Sequence, residues 1–430
     1  MKNLLTNADD WTRRLFVERI AKSLLGVGMV SSSLSRLSAA PSNRNNPGRG
    51  RANRVIYLYL SGGMSHLDTL DTKPGADNQG PVETIDTAVD GIRISEYLPE
   101  IARHMDKAAI IRSMSSNQGA HERGRYYMRT GYNQRGTIRH PAMGAWMLKL
   151  GGRLNQTLPG NVRIGGDSRH PGAGFMEASF SPLPIGNPTA GLQYSGRPKG
   201  VDEELFSHRV NLAKRLDQSF GTKFDQRQVR AYANAYDEAI RLMKSSDLKA
   251  FDLSGESNSL REAYGDNAFG QGCLLARRLA ERDVRFIEVS LGGWDTHQGN
   301  FDRLPERCRT LDQGLSTLLG DLSSRGMLEE TLVVVATEFG RTPKINQNNG
   351  RDHYPKAFSC LLAGGGIQGG QVYGKTSADG SEVIEKAVSI PDFNATIAYA
   401  ASLPQDEIIM SASGRPFTVA DKGKPVLELF

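Results

Sequence analysis

Cysteine is scarce in this 430-residue chain: Cys273, Cys308 and Cys360 are an odd set with no CxxC spacing. That argues against a disulfide framework, a zinc ribbon or a thiol redox pair. Cys273 and Cys308 fall on apolar helical faces and Cys360 in an apolar strand, so buried thiols are expected. The chain also lacks a CxxCH haem site and a GxGxxG after its first strand, which leaves an electron carrier or dinucleotide oxidoreductase without support. The apolar run 23–30 is shorter than the roughly 20 residues needed to cross a bilayer, so no permanent membrane anchor is expected.

The formal charge of +6 is not spread over the chain. Residues 1–40 carry six basic and three acidic side chains, and residues 41–54 carry four arginines and no acid, which leaves −1 for everything after Arg54. The body is nearly neutral, and no nucleic-acid partner is expected.

Within that basic start, Thr12-Arg13-Arg14-Leu15-Phe16-Val17 precedes a mildly apolar stretch and then Leu37-Ser38-Ala39-Ala40. Arginine pair, short apolar core and small-residue exit, in that order, predict a twin-arginine signal peptide over 1–40, read by the twin-arginine export machinery, with the periplasm or cell surface as destination. Residues 41–54, rich in Pro, Asn, Gly and Arg, read as a flexible linker. Residues 55–430 read as one domain.

From Val55 short apolar strands alternate with amphipathic helices, which predicts an α/β fold with a mostly parallel central sheet covered on both faces. Strands are expected at 55–60, 109–114, 162–165, 285–290, 331–336 and 358–363. Helices are expected near 96–106, 141–150, 270–282 and 311–326. The stretch 171–198, dense in Gly, Pro and Ser, reads as an excursion over the sheet edge. Val229, Tyr232, Ala233, Tyr236, Ile240 and Met243 repeat at helical spacing and read as a packed stripe.

Ligands of open α/β sheets gather at the carboxyl ends of the strands, and the polar clusters sit there. Gly292-Gly293-Trp294-Asp295-Thr296-His297 follows one strand, and the carboxylate and imidazole two apart on a glycine-led loop suit zinc, manganese or iron. Thr337-Glu338-Phe339-Gly340-Arg341 follows another; a carboxylate at the mouth of a buried strand needs a cation or donor, and Arg341 is one such partner. Gly350-Arg351-Asp352-His353-Tyr354-Pro355 precedes the strand 358–363, so its loop would have to fold back for His353 to join the others.

These blocks, with the Ser61-Gly62-Gly63-Met64 turn, resemble the alkaline phosphatase and sulfatase superfamily, and within it the exported bacterial proteins of domain of unknown function 1501. The resemblance runs from about Val55 to Gly374. It implies an alkaline phosphatase-like three-layer sandwich and a divalent metal (zinc, manganese or calcium, one or two ions) held by Asp295, His297, Glu338 and His353. The superfamily pattern places a metal-binding Asp where Gly62 stands; Asp68 either replaces it or caps a helix. His121-Glu122-Arg123-Gly124-Arg125 has the frame of the sulfatase nucleophile motif, with His121 in place of Cys and Arg125 matching the arginine that steadies the nucleophile. A histidine cannot become formylglycine, so His121 is a metal ligand, a general acid or base, or a nucleophile, and Ser113, Ser115 and Ser116 are candidates if a hydroxyl is used.

The implied function is an exported metal-dependent hydrolase of a small-molecule or polymer-linked phosphate or sulfate ester, with Arg125 and Arg341 neutralising oxyanion charge. The alternative is a non-catalytic exported protein that keeps the metal and binds a glycan or surface polymer.

Overall fold

The structure, a computed structural model, describes residues 50–166, 169–193, 195, 200–212 and 238–430. The expected signal peptide, most of the linker and the tyrosine stripe up to Tyr236 lie outside the described residues. Among the described residues no helix is long and apolar enough to cross a membrane.

Nine strands form one sheet: β1 (Arg54–Leu60), β2 (Ala108–Ser115), β3 (Asn161–Ile164), β4 (Leu183–Ile185), β5 (Phe286–Leu291), β6 (Thr331–Thr337), β7 (Phe358–Ala363), β8 (Gln371–Tyr373) and β9 (Val388–Ser389). Their spatial order is β8-β2-β7-β6-β1-β5-β3-β4, with β9 also on β2. Every pairing is parallel except those of β7, which runs against both β2 and β6. The expected excursion at 171–198 thus contributes an edge strand, β4, whose Pro184 belongs where no ladder donor is needed.

Both faces of β1 are buried. Ile56, Leu58 and Leu60 pack into a core with α3 (Ala268–Glu281) and α4 (Asn300–Ser324), while Val55, Tyr57 and Tyr59 pack on the other side with α1 (His121–Thr130), α2 (Met143–Gly151) and α5 (Ile390–Ala400). The period-two alternation of the strand assigns those faces and makes three layers. Near 96–106 the expected helix shrinks to one short turn, Pro99–Ala102. α4 begins well before the leucine stripe that marked it and carries Pro305 inside. The three cysteines are free and buried, in keeping with their apolar settings.

Leu60 lies opposite Leu291 of β5 and Thr337 of β6, so three strands end level on one rim. Because β7 is reversed, its first residue, Phe358, lies opposite Met114 near the end of β2. The loop before β7 therefore opens on that same rim, and the fold-back expected for His353 is unnecessary.

Candidate metal centre

The turn after β1 sets the floor of the site. Gly62 has φ +126°, and a Cβ there would stand 2.4 Å from the Asp295 backbone nitrogen, so only glycine fits. The carbonyls of Gly62 and Gly63 both accept from Arg341, the latter from Nε at 3.0 Å. Arg341 also donates from Nη1 to the Arg351 carbonyl at 3.0 Å and from Nη2 to Asp295 Oδ1 at 2.6 Å. Expected to meet an oxyanion, Arg341 is here fully buried, and its donors go to three backbone carbonyls and to Asp295.

Glu338, expected as a ligand, is likewise committed. Its Oε2 accepts from the Tyr59 hydroxyl at 2.8 Å, and its Oε1 accepts from the Gly62 amide at 2.9 Å and from His121 Nδ1 at 2.9 Å. The carboxylate is wholly buried and serves to orient a histidine. Nor does Asp68 join the cluster. It is fully buried in a two-pronged pair with Arg351, Oδ2 to Nε at 2.8 Å and Oδ1 to Nη2 at 2.9 Å, and accepts a third bond from Asn300 at 3.0 Å. Asn300 also takes the Thr296 hydroxyl at 2.7 Å, so this buried pair props the loop that carries Asp295 and His297.

Three histidines converge above this floor, from three loops. His121 begins α1 and gives its Nδ1–H to Glu338. His297 gives its Nδ1–H to Asp352 at 2.7 Å, and His353 gives its Nδ1–H to the Gly119 carbonyl at 2.8 Å. Each ring thereby presents an Nε2 lone pair inward. The His121 Nε2 is buried with no hydrogen-bond partner and lies 3.2 Å from Asp295 Oδ2. The His297 and His353 Nε2 atoms face each other at 3.0 Å and stand 3.2 and 3.4 Å from Asp295 Oδ1. One ligand atom each from His121, Asp295 and His353 fits within 4.8 Å.

Nitrogens so close to each other and to a carboxylate can share a positive charge among them, carried by a proton on one ring or by a metal ion. Imidazole Nε2 atoms with an oxygen acceptor behind each Nδ1 are the arrangement that metal-binding histidines adopt. Electrostatics point the same way. Burial alone would raise the Asp295 carboxyl, but the Arg341 hydrogen bond and charge, with His121 and His297, bring it down to about 2. Burial, and then the neighbouring His121 and Arg341, lower the His353 ring, which favours its neutral, ligating form. His121, Asp295 and His353 could together hold a metal ion, with His297 beside Asp295 and His353, and such imidazole and carboxylate donors suit a zinc-like ion.

Arg125 is half-buried on α1 and donates from Nε to the His121 carbonyl at 3.1 Å. Of the expected serines, buried Ser113 donates to the Lys386 carbonyl, and Ser116 accepts from the Gln118 amide. Asp352, Gly119 and Tyr59 were not among the expected site residues. Asp352 had a signal, being an acid beside His353 in the Arg-Asp-His-Tyr block. Tyr59 and Gly119 act through contacts 279 and 234 residues away, which no local pattern marks.

Beneath Tyr59 the sheet holds a second buried charge pair. Arg129 of α1 donates to Glu288 of β5 at 2.7 Å, with its guanidinium carbon 3.7 Å above the Tyr59 ring, and His170 reaches the other Glu288 oxygen at 3.2 Å. Burial opposes the Glu288 carboxylate, yet Arg129 and His170 hold it well below the usual range. This pair fixes α1, and with it His121, over the sheet.

Among curated proteins none matches the chain. Solved structures similar to it include a sulfatase from Pseudoalteromonas sp. (14% identity, 95% of this chain and 76% of that one, TM-score 0.40). They also include the lipoteichoic acid synthase LtaP from Listeria monocytogenes (10%, 91% and 79%, TM-score 0.37). An alkaline phosphatase from the Antarctic bacterium TAB5 is similar at 13% identity over 77% of this chain and 96% of that one, with a TM-score of 0.31. A family model, described as protein of unknown function DUF1501, matches residues 52–430, and the chain belongs to that family.

Proposed function

We propose that the protein is an exported hydrolase of phosphate or sulfate esters that works with one divalent metal ion held by His121, Asp295, His297 and His353. The observation that carries this reading is the common orientation of the three imidazoles, each with Nδ1–H given to an oxygen and Nε2 turned toward Asp295. A divalent ion in such a set polarises an ester oxygen and lowers the pKa of bound water toward neutrality. The chain's own residues hold the geometry: Arg341 aims Asp295, and Glu338 fixes the tautomer of His121. With its Nδ1–H held by Glu338 and its Nε2 turned toward Asp295, His121 would serve as a ligand, and water rather than a side chain would be the nucleophile. Export over the twin-arginine route, with 1–40 as the leader, belongs to the same proposal.

The test is metal content and ester hydrolysis together. Zinc- or manganese-loaded protein is expected to hold about one ion per chain and to cleave an aryl phosphate, phosphodiester or sulfate. The His353→Ala variant is expected to lose the ion and at least 100-fold in rate. Full metal content in His353→Ala would sink the centre. With His121 and Gly62 standing where the resemblance has a nucleophile and a metal-binding Asp, a second reading is a metal-containing exported protein that binds a glycan or surface polymer without cleaving it. Stoichiometric metal with no hydrolysis of any of the three esters selects that reading.

A further inference from the structure

The outer side of α1 borders a concavity separate from the ring of histidines. It has a volume of about 580 Å³ and is closed by residues 134–139 and by Arg169 and Pro171. Arg125, Arg135, Arg139 and Arg169 line it, and Glu122 is the one carboxylate among its described lining residues. Four arginines on one wall stand out in a chain whose body after Arg54 carries a net charge of −1, and of these Arg125 and Arg169 also engage other groups of the protein. Arg139 donates from Nη2 to the His170 carbonyl at 2.6 Å, and Arg415 at the rim donates to the Thr137 hydroxyl at 3.1 Å. Both bonds go to uncharged oxygens, so they orient the guanidinium planes without cancelling their charge.

A hollow of this size is in the range of small-ligand pockets, and low-dielectric walls of one sign concentrate counter-ions within it. A single small anion would meet only part of the wall. We infer that the cavity binds an oligoanion, a ligand carrying two or more phosphate or sulfate groups, through forked arginine contacts. Arg125 lies four residues from His121 on the same helix, about 6 Å along its axis. An oligoanion anchored in the cavity therefore places a neighbouring ester toward the metal centre. Taking the bound oligoanion as substrate rests on the hydrolase reading; its binding does not.

The experiment is calorimetric titration of the whole protein, metal-stripped and metal-loaded, with tripolyphosphate as the phosphate probe and sucrose octasulfate as the sulfate probe. At low salt at least one probe is expected to bind both forms, with affinity falling steeply as salt rises. Binding is expected to drop at least tenfold in Arg135→Glu/Arg139→Glu and to persist largely in Arg135→Lys/Arg139→Lys. Arg169→Glu, a single exposed change, gives the same readout should the double variant fail to fold. The inference is overturned if neither probe binds the wild type, if the Glu variants bind as well as wild type, or if binding requires the metal. Probe binding by a protein that holds no metal and cleaves no ester would remove the hydrolase reading while leaving the cavity assigned.

Discussion

The Tyr59 hydroxyl and the His121 ring grip opposite oxygens of one buried carboxylate, Glu338, at 2.8 and 2.9 Å. Glu338, the residue after β6, thus dictates which nitrogen of a helix-borne histidine carries the proton, and Tyr59 of β1 steadies it. Replacing Glu338 by Gln keeps the shape but weakens the acceptor and frees the tautomer. Zinc affinity is expected to fall about 10- to 100-fold with little change in fold, as measured by chelator competition. An unchanged affinity would separate Glu338 from the centre.

Arg351 and Asp68 are both fully buried and paired through two hydrogen bonds. Removing one partner strands the other charge, so Arg351→Met is expected to cost about 3–5 kcal/mol in chemical denaturation. Adding Asp68→Asn to that variant recovers part of the loss. Asp68→Asn alone should leave metal content intact, whereas a missing ion in that variant would restore Asp68 to the ligand set.

The turn at Gly62 leaves no room for a side chain: Gly62→Asp does not add a ligand, because φ is +126° and the new Cβ would collide with the 294–295 backbone. Loss of soluble yield or a melting temperature lower by several degrees is expected, from strain of about 1–3 kcal/mol plus the clash. A stable variant with higher metal affinity would contradict this.

His140 is buried against Tyr126 and stacked on Tyr132, with ring centroids 4.4 Å apart. Burial, aided by the Arg135 charge, lowers its pKa from 6.5 to about 4. The unfolded chain then binds the proton more readily than the folded one. Its contribution is complete above pH 6.5 and disappears as pH falls through about 4, a loss of about 3 kcal/mol by linkage. Denaturation curves across that window should flatten in His140→Gln, and an unaltered slope would assign the acid sensitivity elsewhere.

Much of the frame was legible because its strands are short runs of branched and aromatic residues bounded by glycine. The run 358–363 matches the observed β7 to the residue. Its direction was not, since an apolar run carries no arrow, and the reversal is what brings His353 to the rim. Asp295, His297 and His353 stood out because they flank glycines at strand ends. The hydrogen bonds that Glu338, Arg341 and Asp68 make were not legible, because their partners, Tyr59, Gly62 and Arg351, lie more than 270 residues away in the chain.

The reversed strand also ties the order of assembly to the ion. His121 hangs from the chain leaving β2 and His353 from the chain entering β7, and β7 is the wedge that joins β2 to β6. A folding intermediate whose sheet is still split at that seam cannot bring the two imidazoles together. If the proposed centre takes up its ion, cation capture would be a late event, and the bound ion would act as a clasp that holds the seam shut.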